Sequence, residues 1–342
     1  MTQKKIVPPN PARLIEGLRD TGYDFNTALA DIVDNSVDAG AMRIDIQIKM
    51  DGDGDVMVTV SDNGCGMNET TLLDGMTYGA TGHDDPMRLG KFGLGLKTAS
   101  TAFCRKLSVI TREDPGSRLL QATWDIDHVV TTSEWELFLD EPDSFLQNMF
   151  EEVASESSGT LVVWGKVDRL LKDYSAPSGS FARKALDKII NGFKEHASMV
   201  YQRFVDTGDE RARNIEINLN DFLITPWDPF CESEDETELV AQKTLPVELP
   251  DGSSAEFQIR AFVLPRREHF SSSESAKIPK IIHQLWIGPK PPPTHMMDTW
   301  LNKNPDFEYI RWTEDEIAKR GITFVCQNRI DEMEAWNGKA DI

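Results

Sequence analysis

The sequence predicts an α+β fold, on three observations. Short runs of alternating apolar and polar residues close into hairpins, helical periodicity occupies separate runs, and the two do not alternate as strict βαβ units. Taken in order, residues 11–19 form a short helix, and Asp24-Phe25-Asn26 offers an N-cap region for the next. Residues 27–39 follow as a helix, with Leu29, Ile32, Val33 and Val37 near helical spacing and Gly40 ending it. Ile44, Ile46 and Ile48 alternate, the acidic stretch Asp51-Gly52-Asp53-Gly54-Asp55 turns the chain, and Val56, Val58 and Val60 alternate again, giving a β-hairpin. A glycine-rich stretch from Gly75 to Gly95 runs into a helix over 96–103. Strands are predicted at 106–111, 119–126 and 160–164, an amphipathic helix at 180–205, and further strands between 215 and 264 around an acidic loop at 232–238.

The polar segment 271–276 (SSSESA) reads as a linker. Beyond it, residues 277–342 hold 9 basic and 10 acidic residues, a balance of −1, so about −20 of the chain's −21 belongs to residues 1–276. The expected organisation is one domain over 1–175, a second over 176–270, the linker, and a third segment over 277–342.

Composition narrows the function. With 27% charged and 39% hydrophobic residues among 342, the chain is neither disordered nor fibrous, and it contains no 18-residue apolar run. The start, MTQKKIVPPNP, has no apolar segment of a secretory signal, so a cytoplasmic location is expected. A net charge of −21 repels phosphate backbones and anionic membranes on average, which disfavours nucleic acid and membrane as partners. Four scattered cysteines with no C-x-x-C pair predict reduced thiols rather than a zinc site or a disulfide framework.

Three segments carry candidate chemistry. In ALADIVDNSVDAGA (28–41), Asp31 and Asn35 are four apart on one helix face and Asp38 follows three later. An amide oxygen suits Mg²⁺ and a carboxylate can accept a proton from water; alone, the segment reads equally as a solvated polar face. In VSDNGCGM (60–67) a strand delivers Asp62, and Gly64 and Gly66 let the backbone close around whatever Asp62 binds, although a plain tight turn fits as well. In GKFGLGLKTAS (90–100) the glycines allow converging N–H groups, the helix that follows presents its positive end to phosphate, and Lys97 adds a charge. Leu96 between Gly95 and Lys97 breaks the P-loop spacing, and no βαβ unit supports a dinucleotide fingerprint.

In this order and spacing, with Ser158-Gly159-Thr160-Leu161 as a fourth element, the arrangement resembles the gyrase, chaperone, histidine-kinase and MutL (GHKL) superfamily of ATPases, nearest its MutL and MORC branch. The resemblance covers about residues 10–265. It implies a Bergerat-type ATP-binding α/β sandwich, followed by a partial transducer-like α+β domain. It further implies ATP and Mg²⁺ as cofactors and a homodimer formed on ATP binding. Under it, Asp31 is the general base, Asn35 ligates Mg²⁺ with Asp38 nearby, and Asp62 accepts from the adenine amino group, aided by Thr160. Gly64, Gly66 and Met67 line the adenine pocket. Gly90, Phe92, Gly93 and Gly95 belong to a lid over the phosphates, with Lys97 near the terminal one. The base position is usually Glu. Asp is one methylene shorter, withdrawing the carboxylate by roughly 1.5 Å, and a shift of about 1 Å can cost on the order of 100-fold in rate, so slow hydrolysis is expected. A histidine-kinase role is disfavoured, because no His precedes His83.

The last segment predicts a strand over 281–287, a proline run, a helix, a strand over 308–312 and a helix capped at Thr313. It resembles the start of the glycosyltransferases with a DXD sugar-binding region, a partial GT-A-like α/β segment in which Trp286 and Asp341 would face a donor sugar. A DXD pair is absent from residues 277–342, so the diphosphate of a nucleotide sugar would lack its metal carboxylates. The function expected is a Mg²⁺–ATP-binding switch with slow ATPase activity. The alternative is a nucleotide-sugar-dependent transferase with the ATPase part as a regulatory appendage.

Overall fold

The computed structural model describes residues 5, 9–20, 22–79, 95–172, 174, 176, 178–232, 234–248, 254–264, 281–285 and 308–312. The chain divides into two compact units, Met1–Asp228 and Pro229–Ile342.

The first unit contains helices α1 (Pro11–Leu18), α2 (Phe25–Asp38), α3 (Glu69–Met76), α4 (Gly95–Phe103), α5 (Ile126–Thr132), α6 (Ser144–Ala154), α7 (Ser180–Val200) and α8 (Gln202–Val205). Its strands are β1 (Arg43–Met50), β2 (Val56–Asp62), β3 (Cys104–Arg112), β4 (Leu120–Asp125), β5 (Phe138–Asp140), β6 (Gly159–Val167), β7 (Glu216–Leu219) and β8 (Phe222–Leu223). They form one sheet in the order β5-β4-β3-β6-β2-β1-β7-β8, antiparallel throughout except where β7 lies parallel to β1. The fold is α+β, as expected, and the sheet is consistent with an ATPase-type α/β sandwich. The domain end expected at residue 175 falls inside this unit, because β7 extends the sheet edge at β1 through the register Arg43↔Glu216 to Ile46↔Leu219.

Local signals explain the nucleus of the sheet. Asp24 caps α2 by accepting from the Asn26 and Thr27 amides, and Gly40 beyond its end adopts φ +82°. Asp51 Oδ1 accepts from the amides of Asp53, Gly54 and Asp55, each at 2.9 Å, which closes the β1–β2 turn. Period-2 alternation then puts Ile44, Ile46, Ile48, Val58, Val60, Val109, Val162 and Trp164 into one core with Ala28, Leu29, Ile32 and Val33 of α2.

The opposite face has its own small core. Ile110 on β3 and Leu161 and Val163 on β6 alternate away from the main core and pack with Phe150 and Ala154 of α6. Below α6, the buried Arg112 guanidinium forms a two-bonded pair with Glu151 at 2.6 and 3.0 Å, donates to the Ser157 carbonyl at 2.7 Å, and lies over the Phe150 ring. Neither α5, β5 nor α6 was expected from the sequence. At the other end of β3, the buried Arg19 joins α1 to the Asp168 carboxylate and to the Thr101 carbonyl at 2.8 Å, while Arg105 pairs with Glu16 and Asp127.

The second unit contains an antiparallel pair, β9 (Glu238–Glu248) and β10 (Ser254–Val263), and a parallel pair, β11 (Ile281–Leu285) and β12 (Glu308–Trp312). Arg260 pairs with Glu232 at 2.7 and 2.9 Å. Both strands expected at 281–287 and 308–312 are present, the first ending at Leu285; the helices expected around them, and Trp286 and Asp341, lie outside the described residues.

The second core sets a stability prediction. Phe150 is fully buried, and Phe150→Ala removes its ring from a site walled by α6, β3 and β6. A loss of about 3–5 kcal/mol is expected for such a deletion, read as a lower urea midpoint for the Met1–Asp228 unit at unchanged slope.

Candidate functional site

The end of β2 and the last turn of α2 meet at Asp62. Its side chain is 3% exposed. One oxygen accepts from Ser36 Oγ at 2.8 Å, the other from the Gly64 amide at 2.8 Å, and the Thr160 amide donates as well. Burial raises the Asp62 carboxyl above the usual carboxylate range, the three donors opposing that shift.

Glycines make the surroundings of Asp62 possible. A Cβ at Gly64 would come within 2.8 Å of Ala39 Cβ and 2.9 Å of Asp62 Oδ1. At Gly66, where φ is +63°, a Cβ would run into the Arg112 carbonyl, and at Gly159 it would run into that of Asp62. The backbone at these three glycines is thus packed without room for a side chain. Next to it, Thr111 Oγ1 accepts from the Met67 amide at 2.9 Å, donates to the Gly159 carbonyl at 2.9 Å and lies 3.2 Å from Thr160 Oγ1. This brings together Asp62, Gly64, Gly66, Met67 and Thr160, the five residues expected around an adenine.

The α2 residues sit beside this group. Asn35 is exposed and directly precedes Ser36, while Asp31 is half-buried one turn earlier. Asp31 interacts with the Tyr23 hydroxyl, which also takes a hydrogen bond from Thr98 at the start of α4, and burial raises the Asp31 carboxyl. Asp34, on the same helix, is likewise raised by burial, with the Tyr201 hydroxyl opposing and Asp31 and Asp38 reinforcing the shift. Asp38 is exposed at the last position of α2.

Lys97, whose amine the resemblance puts near a terminal phosphate, is 1% exposed here. Its Nζ donates to the Gly75 carbonyl in the last turn of α3 at 2.6 Å and lies 6.0 Å from the centre of the Tyr78 ring; burial lowers its pKa to about 8. Gly95 opens α4, whereas Gly90, Phe92 and Gly93 lie outside the described residues. Ser36, Thr111, Tyr23 and Tyr201 escaped the sequence reading. Ser36, between Asn35 and Val37 on a recognised helix, was the one with a local signal.

Asn35 and Asp31 are oxygen donors of the kind that suits a hard cation and a water molecule, and the glycine cradle at Asp62 suits a planar base. Among the described residues, no group of three or more His, Cys, Asp or Glu is placed to hold a metal. No helix among the described residues is long and apolar enough to cross a membrane.

Residues 23–160 match a family described as histidine kinase-, DNA gyrase B- and HSP90-like ATPases. The chain is similar to the ATPase MORC2B of Mus musculus, 32% identical over 91 residues, a stretch covering 25% of this chain and 9% of that protein. The chain thus matches a small part of that relative. The match over 23–160 takes in Asp31, Asn35, Asp62, Gly66, Lys97 and Thr160, and leaves residues 277–342 aside.

Asp62 sets a pH prediction. A carboxyl whose pKa rises on folding binds more protons in the native than in the unfolded chain, so stability falls as pH climbs from its ordinary value of 3.8 through the raised one. Asp62→Asn stays neutral throughout. The variant should match the parent in urea unfolding near pH 4 and exceed it at pH 7; a gap independent of pH would contradict the assignment.

Proposed function

We propose that the first unit binds Mg²⁺–ATP and hydrolyses it slowly, with ATP-driven lid closure and pairing of two chains as its output. ATP binding is supported by the match of residues 23–160 to an ATPase family. The observation that carries the site is the buried Asp62 carboxylate, held by Ser36 and the Gly64 amide, beside glycines 64, 66 and 159 where the backbone leaves no room for a side chain.

In this reading Asp62 accepts from the exocyclic amine of adenine, and the Thr111 and Thr160 hydroxyls form the polar corner beside it. Gly66 and Met67 line the base. Asn35 offers its amide oxygen to Mg²⁺, with Asp38 at the end of the same helix. When bound, Mg²⁺ neutralises charge on the phosphate oxygens. Asp31 takes the proton of the attacking water; its desolvation makes it a stronger base than an exposed aspartate, which suits that task. Tyr23 holds the short side chain from one side and limits its reach. The shorter carboxylate is why turnover is slow. Closure and pairing make the bound nucleotide a signal as well as a substrate.

Phosphate release by the purified full chain is the direct test. Asp31→Asn should abolish release while ATP affinity stays within about threefold, since the base acts on water and not on binding. Asp62→Asn should weaken ATP binding by about 10- to 100-fold, the usual worth of a hydrogen bond to a charged group. Turnover per chain should rise with protein concentration. A species that sediments as a monomer in saturating non-hydrolysable ATP analogue would count against pairing.

A further inference from the structure

Tyr201, between α7 and α8, is 2% exposed, and its hydroxyl lies 3.0 Å from the Ala30 carbonyl and 2.8 Å from Asp34 Oδ1, both on α2. Ala30 and Asp34 are four apart, so the hydroxyl grips one helical turn by its backbone and by a side chain at once. Asp31 and Asn35 are the next such pair, displaced by about 100° around the helix axis and about 1.5 Å along it. Setting the rotation and height of the Ala30–Asp34 turn therefore sets the position of Asp31 and Asn35.

A second anchor acts two residues later. Ser36 donates to Asp62 at 2.8 Å from a position roughly 200° around the helix from Asp34. Asn35 thus sits exposed between two neighbours held from different sides, Asp34 by α7 and Ser36 by β2. A rotation of α2 that keeps one of these bonds breaks the other. Packing alone does not call for the hydroxyl. Phe193 and Ala197 line the same face of α7 against the core, and a phenylalanine at 201 would fill that space without burying a polar group. A phenol has one hydrogen for two acceptors, so either the bond is shared or a protonated Asp34 donates to Tyr201 while Tyr201 donates to Ala30.

We propose that Tyr201 is a positioning residue for the nucleotide site, holding α2 in the setting that presents Asn35 to the metal and Asp31 to the water. The inference rests on the Mg²⁺–ATP reading above, and it extends the site to α7, beyond residues 23–160.

The test is Tyr201→Phe in the full chain, beside the parent, with ATP affinity measured in excess Mg²⁺ and in excess chelator. Affinity in chelator should stay within about twofold, because Asp62 and the glycine cradle are untouched, while the gain conferred by Mg²⁺ should fall about tenfold from a displaced Asn35. Asp34→Ala removes one of the two contacts at a half-buried site and should lose the gain in the same direction, which covers the case of an unstable Tyr201→Phe. If both variants keep the full Mg²⁺ gain and only the unfolding midpoint drops, Tyr201 is merely structural and the proposal falls. A parent chain that binds no ATP under either condition would defeat the reading beneath it, and this inference with it.

Discussion

The buried carboxylate of Asp62 is the constraint around which the first unit is arranged. A charge taken out of water is tolerated only where donors converge on it, and here they come from three elements: Ser36 on α2, the Gly64 amide after β2, and the Thr160 amide on β6. Around it the backbone packs so closely that a Cβ at 64, 66 or 159 would run into a neighbour, Ala39 and the carboxylate itself at 64, the Arg112 carbonyl at 66 and the Asp62 carbonyl at 159. The register Asp62↔Thr160 between β2 and β6 and the α2–β2 packing follow from the same demand. A desolvated acid that would be more comfortable protonated is a standing cost to the fold, of the kind that active and binding sites retain.

Much of this was legible because its signals are local. The α2 cap at Asp24, the glycine after its end, the acidic turn and the alternation on either side of it each depend on residues within a few positions of one another. Asp31, Asn35, Asp62 and the glycines stood out for the same reason. Thr111 could not be found that way, since its role depends on β3 pairing with β6 in the register Thr111↔Thr160. Tyr201 meets α2 across 167 residues of chain, and nothing near it marks the contact. The case of α6 is different. Asp143 as cap, followed by Phe145, Leu146, Met149, Phe150 and Val153, is a readable amphipathic helix. What could not be read was its destination on the far face of the sheet. For Lys97 the motif gives no sign that its aliphatic stem and charge lie buried against the end of α3.

The two faces of the sheet divide the work. One carries α2, α4 and the candidate site; the other is sealed by α6 through an apolar patch and one arginine–glutamate pair. Arg112 spans both. Its side chain fastens α6 and the Ser157 carbonyl just before β6, while its own carbonyl presses on Gly66. Through this residue the far face stiffens the loop that presents Gly159 and Thr160 to Asp62. Paired and almost fully enclosed, the guanidinium supplies geometric definition more than net stability.

The parallel seam between β1 and β7 has a consequence for how the molecule is made. Arg43 pairs with Glu216, a separation of 216 − 43 = 173 residues. At ribosomal rates of roughly 5–20 residues per second, β1 leaves the ribosome roughly 10–35 s before its outer neighbour exists. Throughout that interval β1 is a bare sheet edge, and α2 lacks the strut that α7 provides through Tyr201. The nascent chain thus completes the strands of its carboxylate cradle before its final helix setting. Chaperone contact during synthesis would be concentrated on that waiting edge.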